Sequence, residues 1–214
     1  MPRSVKRRPY HSPRRREQAR ATRLAVLGGA RDLFIERGYA ATTIDQIAAR
    51  AEVSPETVYA AFKNKRSILS GLIDVSIAGD DTPVAILERG WVQQMRAEAD
   101  PRHRLEILAR NGRLMLERWT PVYEVLRGAA GADPKIASLW ELNKRQRFEG
   151  QRALLRILTE GSPLREGLSP NAATDVLFAI GSPETYRLLV TDRGWSADRF
   201  ERWYSDALAR LLLA

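Results

Sequence analysis

The chain has 214 residues, 44% of them hydrophobic, which is enough for a real core in one large or two smaller domains and excludes an intrinsically disordered polymer. It has no cysteine, so disulfides and thiolate metal sites are excluded and a reducing cytoplasm suits it. The net charge of +9 sits at one end: residues 1–24 carry nine basic side chains against the single acid Glu17, whereas the part from Ser70 onward balances 20 basic with 20 acidic residues, a polarity that points to a polyanionic partner.

Residues 1–16 read as a basic arm. Met1 to Pro13 holds three prolines among its basic residues and is expected to be disordered without a partner. No 7 to 15 residue apolar segment follows it, so no secretory signal is expected, and no apolar run approaches the ~18 residues that span a bilayer. A soluble, cytoplasmic protein with no membrane partner is the expectation. From Arg14 onward nearly every segment has helical period and none has sustained strand alternation, so the fold class is all-α, with about nine or ten helices.

The first helix is expected from Glu17 to Arg37, with Leu24, Leu27, Ala30 and Phe34 on one stripe and Gly38 as its stop. Gly28 and Gly29 lie inside it and should each cost roughly 1 kcal/mol relative to Ala, so this helix depends on packing, or its small residues permit a close helix contact. Two short helices follow in TIDQIAARAEVSPETVYAAF, Thr43 to Phe62. Thr43 with Gln46 three residues later forms a capping box, which starts the first at Ile44 and lets it run to about Ala51. Ser54 caps the second, with Pro55 at its first position, where a missing amide costs nothing. Only Glu52 and Val53 separate them, which forces a steep crossing and buries Val53 and Val58 against Ile47. Pro55, Glu56, Thr57, Tyr59 and Ala60 remain outward, a small polar face that fits a major groove of double-stranded DNA.

The run from Ala30 to Leu69 resembles the DNA-binding domain of the TetR family of bacterial transcriptional regulators. The resemblance is carried by Leu33-Phe34, Gly38-Tyr39, Thr42-Thr43-Ile44, Ile47-Ala48, Val53-Ser54, Val58-Tyr59, Phe62, Lys65 and Leu69. The sequence departs from that family at Glu52, where glycine is usual, and at Ala60-Ala61, where a histidine often precedes the Phe and supplies a polar phosphate contact. The resemblance implies a helix-turn-helix domain over residues 17–64, with the helix from Pro55 in the major groove. Thr57 would then meet base edges and Glu56 a cytosine amino group, unless Glu56 is only a favourable partner for the helix dipole. Thr42 or Thr43, Ser54, Tyr59, Lys63 and Lys65 would contact phosphates. Because that face carries no Arg or Lys, much of the affinity is expected from Arg14, Arg15, Arg16 and Arg20 along the backbone or in a minor groove.

The resemblance also implies that residues 65–214 form a larger helical regulatory domain that dimerises and often binds a small-molecule effector. Helices are expected over Pro83 to Asp100, Pro101 to Trp119, Pro121 to Ala130 and Lys135 to Glu160. They carry Trp91, Met95, Asn111, Met115, Trp119, Tyr123, Trp140, Asn143, Arg147, Phe148 and Gln151, a mixture of aromatic, Met and polar groups that can line a ligand cavity or, at helical spacing, make core. Two further helices, Pro170 to Asp192 with an interruption at Pro183 and Ser196 to Leu213, carry Leu177, Ile180, Tyr186, Phe200, Trp203, Tyr204 and Leu208. By the resemblance these pair with their twofold mates in a homodimer, which would read a palindrome through two recognition helices about 34 Å apart.

Catalysis is not expected. The only histidines are His11 and His103, and no glycine-rich phosphate loop or metal-ligand spacing is present, so neither metal nor cofactor is implied. An architectural, sequence-tolerant DNA binder without ligand response is the alternative, and it would bind one palindrome barely more tightly than random DNA. The neutral helical region favours a dimeric repressor whose effector shifts the population between two spacings of the DNA domains, with the helix from about Lys65 to Ala78 as the lever.

Overall fold

A computed structural model of the chain describes residues 13–214. Its elements in order are α1 (Pro13–Ala41), α2 (Ile44–Arg50), α3 (Pro55–Ala61), α4 (Lys65–Ala78), a 3-10 turn (Ile86–Glu88), α5 (Gly90–Ala97), α6 (Pro101–Ala130), α7 (Pro134–Leu158), α8 (Pro170–Ile180), α9 (Pro183–Tyr186), which passes into a π-helical turn (Arg187–Asp192), and α10 (Ala197–Leu212). The architecture is all-α, and among the described residues there is no strand beyond one isolated bridge between Leu164 and Leu213.

The helix ends are set by local chemistry. Asp100, Asp133, Ser169 and Ser182 each cap a helix that carries proline at its start, so the missing proline amide falls where no intrahelical bond is due. Gly38 departs from helical geometry at φ 81° and ψ 161°, so the regular part of α1 stops at Arg37 as its glycine signals. Gly29 has the packing role its position suggested: a Cβ there would lie 3.2 Å from Arg50 Cγ and 3.3 Å from the Ala51 nitrogen, so α1 and α2 touch backbone to backbone. Gly28 faces open space.

Three expectations are corrected. Residues 1–12 of the arm lie outside the described residues, and Pro13 to Arg16 belong to α1 rather than to an arm, so the first helix begins before Glu17. Helix α6 runs unbroken through Pro121. A proline there costs about 3 kcal/mol, but the adjoining turns bury Trp119, Val122, Tyr123 and Leu126, and that packing keeps the helix whole. The stretch from Pro83 to Asp100 is not one helix: the Arg89 guanidinium bonds Asp80 Oδ2 at 2.5 Å and the carbonyls of Thr82 and Val84, gathering residues 80–84 into a loop before α5.

Two hydrophobic cores result. The first unites Val26, Leu27, Ala30, Leu33 and Phe34 of α1, Ile47, Ala48 and Val58 of the short helices, and Ile68, Leu69, Leu72 and Ile73 of α4 with Trp119, Val122, Tyr123 and Leu126 of α6 and Ile136 of α7. The second holds Val92, Met95, Leu105, Leu108, Leu116, Leu155, Leu158, Leu177, Phe200, Tyr204 and Leu208. The boundary at residue 64 therefore does not divide the cores, because the end of α6 and the start of α7 complete the one that supports α1–α4.

Candidate nucleic-acid interface

Helices α2 and α3 have the ends their sequence dictates. The Gln46 amide donates to Thr43 Oγ1 at 3.2 Å while the Thr43 amide donates to Gln46 Oε1 at 3.0 Å. At α3 the Thr57 amide donates to Ser54 Oγ at 3.3 Å, and the two hydroxyls lie 3.2 Å apart. Between the helices, Val53 N–H bonds Ala48 O at 3.0 Å and Glu52 N–H bonds Ala49 O at 3.3 Å, the paired bonds of a Schellman ending. Glu52 occupies the left-handed position of that motif at φ 56°, where the sequence had suggested a missing glycine.

This scaffold leaves Tyr59 53% exposed and points Glu56, Ala60 and Lys63 to solvent, with Pro55 and Thr57 half-buried at the base of the same face and Val58 fully buried behind it. The Glu56 carboxyl is held below its ordinary value by the Ser54 hydroxyl and by its own backbone amide, which makes it a partner of the α3 terminus. Thr43 and Ser54 are exposed but already engaged in capping.

Two expected phosphate contacts are instead internal. Thr42 is 1% exposed and its hydroxyl donates to the carbonyl oxygens of Gly38 at 2.9 Å and Leu33 at 3.3 Å, holding the kink of α1. The Lys65 ammonium donates to the carbonyls of Tyr39 and Thr42 at 2.8 Å and lies 4.4 Å from the centre of the Tyr39 ring. A carbonyl cluster left by the end of α1 attracts a cation, so Lys65 fastens α4 to the α1–α2 connection.

Arg14, Arg15 and Arg16 are exposed on the first turn of α1. Arg20 is also exposed but forms a two-bond ion pair with Asp81, Nε to Oδ2 at 2.7 Å and Nη2 to Oδ1 at 2.5 Å. That hydrogen-bonded guanidinium holds the Asp81 carboxyl below its usual range. The pair joins the basic end of α1 to the loop after α4, a link between residues 61 positions apart that no local pattern could announce.

The same loop forms one wall of a cavity of about 730 Å³, which also takes Asp74, Val75, Ile77 and Ala78 of α4 and residues of α6, α7 and α8. Trp91, Asn111, Met115, Trp119, Asn143 and Arg147 line it with Gln151, the next polar group of the same stripe, and so do Gln146, Leu177 and Tyr204, which the sequence does not mark as pocket residues. Met95 lies in the second core, away from this lining. Tyr123 and Trp140 stack with ring centres 4.8 Å apart against the first core, and the Tyr123 hydroxyl donates to Glu184, which together with burial raises its phenol.

Of the residues expected to meet a second subunit, Leu177, Tyr186, Phe200, Tyr204 and Leu208 are buried within the chain itself, while Ile180 and Trp203 are half-buried. The five buried residues belong to the inward stripe of α8–α10, so for them the expectation took the core face for the outer one. Outward apolar groups on these elements include Leu188, 52% exposed, and Leu211, 38% exposed. Among the described residues no helix is long and apolar enough to cross a membrane.

Residues 26–72 match the family described as bacterial regulatory proteins, tetR family. The chain is 31% identical over 182 residues to the uncharacterized HTH-type transcriptional regulator YdeS of Bacillus subtilis, covering 84% of each chain. Its fold is similar to that of native NalD, the secondary repressor of the MexAB-OprM multidrug efflux pump in Pseudomonas aeruginosa, with a TM-score of 0.68 and 21% identity over 91% of this chain and 98% of that one. A transcriptional regulator from Saccharomonospora viridis in complex with choline is similar at a TM-score of 0.64 and 20% identity, over 90% and 97% of the two chains.

Proposed function

Because the chain belongs to the TetR family of bacterial regulatory proteins, we propose that this DNA-binding transcriptional regulator is a ligand-responsive repressor that acts in the cytoplasm and grips a palindromic operator as a homodimer. The observation that carries the reading is the double attachment of α4. Its first residue, Lys65, is bonded to the α1–α2 connection beneath the recognition helix, and its last turns line the cavity. A molecule that fits the cavity in only one position of α4 therefore changes the spacing of the reading heads, and it acts only by that difference in affinity. NalD is a repressor and the Saccharomonospora regulator holds a small molecule, and repression and response to a small molecule, without the identity of that molecule, are carried to this chain as part of the proposal.

On DNA, Thr57 with Pro55 meets base edges while Glu56 serves the α3 terminus, Tyr59, Thr43, Ser54 and Lys63 hold phosphates, and Arg14, Arg15, Arg16 and Arg20 supply the charge that α3 lacks. The test is selection of bound sequences from a random DNA pool. An inverted repeat with half-site centres about one helical turn apart, bound about a thousandfold more tightly than random DNA, is the expected result. Recovery of no common sequence would defeat the proposal.

A further inference from the structure

The inward stripe of α7 runs Ile136, Trp140, Asn143, Arg147, Gln151, Leu155 and Leu158. Its ends are apolar, but its middle places an amide, a guanidinium and an amide at successive turns, all lining the cavity. Asn143 and Gln151 are 5% and 8% exposed, and Asn143 Oδ1 and Gln151 Oε1 have no hydrogen-bond partner. Neither do Nε and Nη1 of Arg147, which are buried as well. One face of the guanidinium is covered by the Phe178 ring, 3.7 Å from its centre. The nearest acid, Glu184, lies 3.6 Å from Nη1, beyond hydrogen-bonding distance, is half exposed and takes the Tyr123 hydroxyl. Burial disfavours the Arg147 charge more than Glu184 supports it, yet an arginine stays protonated.

A largely buried cation whose one ion pair, to the half-exposed Glu184, is too long for a hydrogen bond is incompletely compensated and has room for a closer anionic partner. The acids of the lining do not supply it, since Asp80 is bonded to Arg89, Asp81 to Arg20, and Asp74 of α4 is exposed and makes no hydrogen bond or ion pair with Arg147. Beside Arg147 the lining turns apolar, with Trp91, Met115, Trp119 and Leu177. The volume falls within the range of about 300 to 1,000 Å³ that takes a single drug-sized molecule.

We infer that the effector is an amphipathic organic acid, its carboxylate bound by Arg147 between the Asn143 and Gln151 amides and its aromatic or aliphatic body packed on Trp91, Met115 and Trp119. This rests on the ligand-responsive reading of the cavity. Asn143 Nδ2 can donate to the second carboxylate oxygen, while the unpaired Asn143 Oδ1 and Gln151 Oε1 accept from a hydroxyl on the same molecule, Gln151 Nε2 already donating to Gly181 O at 3.4 Å.

Calorimetric titration of the full chain with naphthoate, cinnamate and decanoate, each compared with its primary amide and its trimethylammonium analogue, tests the class. The best acid should bind about tenfold or more tightly than its amide, as charge-assisted hydrogen bonding requires. Arg147→Gln should bring that ratio to about one without weakening the amide, and Arg147→Lys should retain part of it, which separates loss of charge from loss of fold. Equal or tighter binding of the amides or ammonium compounds overturns the inference, as does a preference that survives Arg147→Gln or a panel in which nothing binds. Operator binding is followed in parallel by fluorescence anisotropy. A neutral or cationic compound that binds best and releases operator overturns the acid class while leaving ligand response standing. An Arg147-dependent acid that leaves operator affinity unchanged supports the class and defeats ligand response.

Discussion

Replacing Glu52 by glycine should make the protein more stable. Among the described residues Glu52 is the only non-glycine with positive φ, and it sits at the left-handed position of a Schellman ending whose two backbone bonds are both formed. A side chain with a Cβ pays about 1 to 2 kcal/mol in that conformation, and glycine removes the strain but returns about 0.5 to 1 kcal/mol through the greater freedom of the unfolded chain. The difference runs from about zero to about 1.5 kcal/mol in favour of glycine, with a middle value of about 0.8 kcal/mol that corresponds to about 2 to 3 °C in Tm for a chain of this size. Calorimetric unfolding at fixed protein concentration measures it, with Glu52→Gln as the control that removes the charge and keeps the Cβ. Gly should raise Tm and Gln should leave it nearly unchanged. If Gly lowers Tm, or Gln raises it as much, the strain argument is wrong.

Arg20→Ala should lower the slope of log affinity against log salt by about 0.9 per subunit if Arg20 holds one phosphate, and Asp81→Asn, which frees Arg20, should tighten operator binding. Unchanged slope and affinity in both would show that the ion pair is not in competition with DNA. Deletion of residues 1–16 should weaken operator binding and flatten the same slope, and a truncated protein with wild-type affinity and slope would remove the basic end from the interface. Asp80 is held well below its ordinary value of 3.8 by the hydrogen-bonded Arg89 and by Thr82. Its contribution to stability is therefore complete above that ordinary value and lost as pH falls through the depressed one, so Asp80→Asn should lose less stability than wild type on acidification below about pH 5. Equal acid sensitivity in denaturant titrations would count against it.

What the sequence made legible was local. The capping box at Thr43, the Ser54-Pro55 start and the stop at Gly38 each involve neighbours within five residues and each has its structural counterpart, while the left-handed backbone at Glu52 was signalled only by the resemblance to a family with glycine there. Pro121 misled because the proline penalty is a local term and the burial that outweighs it comes from other helices. Arg14 to Arg16 reads as part of the basic arm because it is all charge, with no apolar residue to tie that first turn of α1 to a core. Phe200, Tyr204 and Leu208 share a face, but spacing alone cannot say whether that face meets its own chain or another. The motif position of Lys65 suggested phosphate, and only the fold shows its cradle of the Tyr39 and Thr42 carbonyls, with Ala40 O at 3.4 Å.

The core beneath the recognition helix also bears on how freely such regulators can be recombined. A chimera spliced at residue 64 would take this reading head away from Trp119, Val122, Tyr123, Leu126 and Ile136, the side chains that close its interior. Grafted onto a foreign body, the head inherits whatever shapes stand at those five positions, and a mismatch would cost it rigidity before it altered a single DNA contact. A biosensor built from this chain should therefore transplant the five residues along with the head. The unit of exchange is a packing surface, and it is not contiguous in sequence.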